Sequence, residues 1–293
     1  MRPLFVVTLL ALLVTPIRAG DVIHVPADVE SIQNAVDLAA PGDVVLVDAT
    51  TYESPYGWGL ENVQVSGKGV SVIAEGGLVT LRSLRVSGVP AANTVVLRGL
   101  EVDDPAVGSA LAGHALVIED SLGTVRVEEC SLRGYPGSWG CITDLGQDSW
   151  GAAASGDGAV IEDSASVVLM RCEVVGGGTT FSGLCEAFGG IPVPHAVGNG
   201  LSIDASHVAV YDSVLRSGNG GPLHRDGVSL TGDAQVHLSG CVVVGYGNSH
   251  ALAQFEPGCA TSSRDTEFVA GGEPLAILTG EYVEYPAPHR PFW

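Results

Sequence analysis

Four stretches decide the fold: HALVIED (His114–Asp120), DGAVIED (Asp157–Asp163), NGLSIDA (Asn199–Ala205) and DGVSLTG (Asp226–Gly232). Laid over one another they match position by position. A polar corner residue comes first, then a short run of alternating apolar residues, then an acid or small residue. Each is followed by a second short run: Val125-Arg126-Val127, Val167-Val168-Leu169, Val208-Ala209-Val210 and Val236-His237-Leu238. A third follows each of these, at Cys130-Ser131-Leu132, Cys172-Glu173-Val174, Ser213-Val214-Leu215 and Cys241-Val242-Val243. Period-two alternation over so few residues, with Gly, Asp and Ser between, predicts strands rather than helices. Self-similarity at a fixed order predicts a repeat architecture. Three strands per repeat describe the rung of a parallel β-helix.

The physics of such a coil accounts for the composition. Equivalent residues of successive rungs stack about 4.8 Å apart, so inward positions form apolar columns. The columns expected here are Leu116/Ala159/Leu201/Val228 and Ile118/Ile161/Ile203/Leu230. Tight corners favour glycine for its permitted positive φ, and the chain contains 40 glycines in 293 residues. The first two repeats are longer than a bare rung, which assigns Gly134–Gly156 and Gly176–Gly198 to long corner loops. A stack of this kind needs its ends covered. Asp28 is a good N-cap, and Val29, Ile32, Val36 and Ala39 fall at helical spacing before Pro41-Gly42. A helix over about 28–40 is therefore expected to cover the first rung.

The ends of the chain differ from its middle. Met1-Arg2-Pro3, then an apolar run from Leu4 to Val14, then Ala19-Gly20, has the form of a secretory leader occupying residues 1–20. The run is too short for the ~20 residues of a membrane span, and no later stretch is longer. Residues 21–279 are assigned to the coil. From Gly280 to Trp293 the chain becomes rich in Pro, Tyr, Phe and Trp. Such a tail is not expected to add a rung; it either straps the last rungs or offers a peptide to a partner.

With Lys+Arg 13 against Asp+Glu 33, the formal net charge is -20. Loss of Arg2 and Arg18 with the leader deepens it. No basic footprint exists for nucleic acid. A hydrophobic share of 46% with recurrent Val, Ile and Leu runs excludes disorder.

The opening IHVPADVESIQNAVDLAAPGDVVLVDATTY (Ile23–Tyr52), followed by these rungs, resembles the pectin lyase-like superfamily of right-handed parallel β-helix proteins. The resemblance covers about residues 22–260. It implies an all-β, right-handed solenoid with an N-terminal capping α-helix, and a secreted protein that meets extracellular polysaccharide or cell-surface glycan. Lyases, hydrolases and non-catalytic adhesive scaffolds share this fold. The motifs of polygalacturonases and pectate lyases are absent, so no catalytic residue carries over by motif. Lyases of the superfamily use Arg, Lys or His beside an acidic sugar, which makes Arg216, His224, Arg225 and Asp226 the catalytic candidates.

Other candidates come from the residues themselves. Glu119, Glu162 and Asp204 fall on one outward column, where stacked carboxylates suit Ca²⁺, an acid/base pair for glycoside cleavage, or simple solvation. His224-Arg225-Asp226 is alternatively a plain polar corner. Trp139, Trp150 and Phe181 in the long loops suit either stacking on sugar rings or packing of the loops. Cys130, Cys172 and Cys241, with Ser213 in the missing rung, form an inward column of small residues or bridge between rungs. Cys141 and Cys185 sit at similar places in the two long loops, and an exported chain permits their disulfide. The charge balance itself disfavours a polyanionic substrate.

Overall fold

A computed structural model describes residues 20–49, 61–103, 113–138, 140–142, 155–180, 191–193, 197–219, 225–247, 249–270, 275–277 and 281–285. Among them the structure is all-β with one short helix. Three all-parallel sheets contain ten, eight and seven strands. The chain visits them in turn: Ala159–Glu162 lies in the eight-strand sheet, Ser166–Met170 in the ten-strand sheet and Glu173–Val175 in the seven-strand sheet. The next rung repeats the order with Leu201–Asp204, His207–Tyr211 and Val214–Arg216. This arrangement is consistent with a parallel β-helix solenoid.

The expected columns are in register. Leu116, Ala159, Leu201 and Val228 are successive cross-strand partners, as are Ile118, Ile161, Ile203 and Leu230. All eight are at most 1% exposed. Both columns run further than the four matched repeats. Val63 and Leu84 precede the first, and Leu252 and Leu275 follow it. In the second, Gln254 replaces the aliphatic residue beyond Leu230. It is fully buried and its amide donates to the Cys259 carbonyl.

The corners meet the glycine expectation in part. After the strands of the eight-strand sheet the left-handed residue is glycine at Gly67 (φ 67), Gly88 (φ 63) and Gly232 (φ 61), but Asp120 (φ 51), Asp163 (φ 46) or Ala205 (φ 45) in the rungs between. After the strands of the ten-strand sheet it is Gly76 (φ 85), Gly99 (φ 71) and Gly240 (φ 66), but Glu129 (φ 55), Arg171 (φ 54), Asp212 (φ 48) and Asp265 (φ 49) elsewhere. The following side chain turns inward and closes the corner. Ser121, Ser164 and Ser206 donate to the carbonyls of Glu119, Glu162 and Asp204 at 3.0, 2.9 and 2.7 Å. Such local side-chain bonds offset the cost of the left-handed residue.

Glycine concentrates at the third corner, where the long loops leave and return. Gly156, Gly177, Gly198 and Gly218 each donate backward, to Tyr135, Gly156, Gly177 and Gly198 respectively, at 2.8–3.0 Å. A Cβ on any of these four would collide with a backbone carbonyl of the neighbouring layer. Close approach, rather than positive φ, demands glycine there. The long loops also pair with each other: Gly137–Ser138 runs parallel to Thr179–Thr180, and Gly140–Ile142 antiparallel to Ile191–Val193.

The helix, α1, spans Ile32–Leu38, shorter than expected. Its N-cap is Ser31, whose hydroxyl accepts from Asn34 N at 3.1 Å. Asp28 instead accepts from His24 N in the turn before it. Ile32, Ala35 and Val36 are buried. The Glu61 carboxylate accepts from Ile32 N and Gln33 N. The Gln33 amide pairs with Gln64 as a neighbouring strand would, accepting from its N–H at 2.7 Å and donating to its carbonyl at 3.2 Å. Gln64 lies on Asn62–Ser66, the last strand of the eight-strand sheet. At the other end of α1, Lys68 Nζ donates to the carbonyls of Val36, Asp37 and Ala39 at 2.6, 3.2 and 2.8 Å. One cation thus satisfies three orphan acceptors of the last turn.

The tail begins later than composition suggests. Glu281–Tyr285 is a parallel strand on Ala260–Arg264, the tenth of its sheet. Residues 286–293 lie outside the described ones.

Replacing Lys68 by Met is expected to remove the three-carbonyl clamp and cost about 1–2 kcal/mol. Thermal unfolding followed by circular dichroism should show a fall of roughly 2–4 °C per kcal/mol. An unchanged Tm would show that α1 does not depend on the clamp.

Candidate functional site

Strand alternation places every second residue of the eight-strand sheet on its outer face. Ser66, Ser87, Glu119, Glu162, Asp204 and Thr231 form one outward column. Its neighbour reads Val117, Val160, Ser202, Ser229 and Ala253. A rail of acids therefore flanks a floor of small side chains. The floor and rail hold a groove of about 420 Å³, lined among others by His114, Asp157, Glu162, Ser202, Asp204 and Arg225. It lies beside the corner from which the long loops leave, since Ser155 and Val197 also line it.

That corner carries a polar ladder. His114, Asp157, Asn199, Asp226 and His250 each stand two residues before a strand of this sheet. Each of the first four side chains accepts from the backbone N–H of the next. Asp157 N donates to His114 Nδ1 at 2.9 Å, Asn199 N to Asp157 Oδ1 at 2.6 Å, Asp226 N to Asn199 Oδ1 at 2.9 Å, and His250 N to Asp226 Oδ1 at 3.0 Å. The ladder satisfies backbone donors between rungs of unequal length. Asp157 Oδ2 also accepts from the Ser202 hydroxyl at 2.7 Å, which ties the ladder to the groove floor.

The catalytic candidates do not form one cluster. Arg225 lines the groove. Asp226 is buried in the ladder, and its Oδ1 also meets His250 Nδ1 at 3.2 Å. Arg216 lies in the seven-strand sheet and pairs with Glu173 one rung away, at 3.3 Å. His224 lies outside the described residues. The partner sequence reading missed is His250; its signal was its place two residues before Leu252, matching Asp226 before Val228.

The three cation candidates share their column but not their surroundings. Glu119 accepts from Nε and Nη2 of Arg85, with contacts of 2.7–2.9 Å. Asp204 Oδ1 accepts from the Thr231 hydroxyl at 3.0 Å. Glu162 is exposed between them. Among the described residues, no three His, Cys, Asp or Glu side chains converge to hold a metal. Trp139, Trp150 and Phe181 lie outside the described residues, as does Cys185, the expected partner of Cys141.

Cys130, Cys172 and Cys241 point inward, each at most 3% exposed, and with Cys259 they are free thiols. Each thiol of the column contacts the carbonyl two residues earlier, as Ser213 does through its hydroxyl. The Cys172 thiol beside Cys130, with burial, pushes Cys130 well above the usual thiol range. The same contact draws Cys172 downward, as expected of a pair whose two titrations split. Burial raises Cys241 and Cys259.

No known family profile, curated protein or solved structure matches this chain. Among the described residues no helix is long and apolar enough to cross a membrane.

Native alkylation with iodoacetamide, mapped by mass spectrometry, is expected to leave Cys130, Cys172, Cys241 and Cys259 unmodified. All four should react in guanidinium. Modification of the native column would contradict its burial.

Proposed function

We propose that the chain is a secreted, right-handed β-helix protein of the pectin lyase-like kind, with α1 capping its first rung. Its function in this reading is to bind extracellular carbohydrate along the outer face of the eight-strand sheet. The observation that carries the reading is the groove beside the polar ladder. Sugars present closely spaced hydroxyls that both donate and accept. The groove offers acceptors at Asp157, Glu162 and Asp204, hydroxyls at Ser202 and Ser229, and donors at Arg225. Its floor repeats from rung to rung at about 4.8 Å, which suits an extended polymer. The net charge of -20 favours a neutral glycan over a polyuronate.

The reading as a binding scaffold without catalysis has its own support. Asp226 is occupied by two bonds from His250, and Arg216 by Glu173. Two of the residues a lyase would recruit are thereby committed to the coil. Ca²⁺ has a place in the catalytic reading only if Glu162 and Asp204 share it with substrate oxygens.

Calorimetry with neutral and acidic oligosaccharides tests the reading, with unsaturated uronates and new reducing ends assayed in parallel. A neutral glycan is expected to bind, and Ser202→Arg, which fills the floor, should weaken it at least ~10-fold while circular dichroism shows the fold retained. Turnover abolished by Arg225→Ala would add catalysis. Absence of glycan binding, or binding indifferent to Ser202→Arg, would reject the groove.

A further inference from the structure

The outer face of the ten-strand sheet holds a second groove, of about 410 Å³. Its central column is Val168, Ala209, His237, Ser262 and Val283, successive cross-strand partners. His207 and Gln235 line it from the adjacent column. Within the groove His237 Nδ1 and Ser262 Oγ lie 2.8 Å apart. The Tyr211 ring meets the His237 imidazole edge-on, with centroids 5.8 Å apart and planes at 60°, which limits the ring's rotation. Both members of the pair stand on strands locked in one ladder, so their spacing is set by the sheet. Neither serves the core: the neighbours Thr261 and Ser263 are the buried residues of that strand, whereas Ser262 alternates outward.

A hydroxyl within reach of an imidazole held by a third group is the arrangement of an activated nucleophile. We propose that Ser262 and His237 form a nucleophile–base pair that hydrolyses short-chain carboxylic esters. With its hydrogen on Nε2, the imidazole accepts the Ser262 hydroxyl proton at Nδ1 as Oγ attacks the acyl carbon. The bond from the acyl carbon to the alcohol oxygen breaks, and that oxygen takes the proton from Nδ1. Water then attacks the acyl-serine while Nδ1 receives its proton. The carboxylic acid leaves and Ser262 Oγ recovers the proton, so atoms and charge balance without a cofactor. Backbone N–H groups of the sheet are consumed in its ladders. The side-chain donor lining the groove on the strand next to Ser262 is the Gln235 amide, which the oxyanion would use. The low floor of Val168 and Ala209 fits a small apolar acyl group and leaves the alcohol side open to solvent.

The test uses the full chain with a fluorophosphonate probe, mapped by mass spectrometry, and with p-nitrophenyl acetate as substrate. Covalent labelling of Ser262 is expected. Ser262→Ala and His237→Asn should each lower hydrolysis at least ~100-fold with Tm unchanged, since both side chains lie outside the core. Failure of the unmodified chain to label at Ser262 would overturn the proposal, as would hydrolysis that survives Ser262→Ala. Should either variant unfold, labelling of the unmodified chain decides. Glycan binding on the eight-strand sheet is measured separately through Ser202→Arg, so the two readings stand or fall independently.

Discussion

In-register stacking of parallel strands is the constraint from which the rest of the structure follows. Ile118, Ile161, Ile203 and Leu230 occupy one column because each strand repeats the pairing of the one before. A slip of one residue would turn the column outward and bring Glu119, Glu162 and Asp204 into the core. The hydrophobic effect fixes register through these columns, at about 25 cal/mol per Å² of apolar surface removed from water. Everything on the outer faces inherits its spacing from that choice. The acidic rail, the floor of small residues and the Ser262–His237 pair are all outward echoes of an inward pattern.

Stacking alone does not hold rungs of unequal length together. Two repeats carry long excursions, yet the strands after them return to register. The corner ladder and the glycine tower account for this. Asp157, Asn199 and Asp226 reach backbone donors of the next rung, and Gly156, Gly177, Gly198 and Gly218 let exit and entry segments touch through backbone alone. The loops are thus clamped at their roots. Polar residues at these roots have a structural task before they have a chemical one, which is why Asp226 appears as a ladder member rather than beside a catalytic arginine.

The inward columns were legible in the sequence because burial imposes a period of two that repeats from rung to rung. The outward acid column was legible for the same reason. Corner chemistry was harder to read. Positive φ is compatible with glycine, but a hydroxyl or thiol two residues beyond the strand lets Asp120, Asp163, Glu129 and Arg171 adopt it instead. The helix boundary moved from Asp28 to Ser31 because Asp28 closes the preceding turn. Pairings between distant repeats, such as Asp226 with His250 or His237 with Ser262, depend on how many residues each loop absorbs. Local pattern does not state that number; only the stacked coil does.

Lys68 is the single lysine of the chain, and its ammonium is committed to the carbonyl end of α1. Apart from the chain's α-amine, amine-directed reagents have one target, and it is a helix clamp. N-hydroxysuccinimide-ester labelling, glutaraldehyde fixation or amine coupling to a sensor surface would either proceed sparsely or loosen the end of the coil they attach to. The carboxylates, abundant and mostly outward, are the handles this protein tolerates.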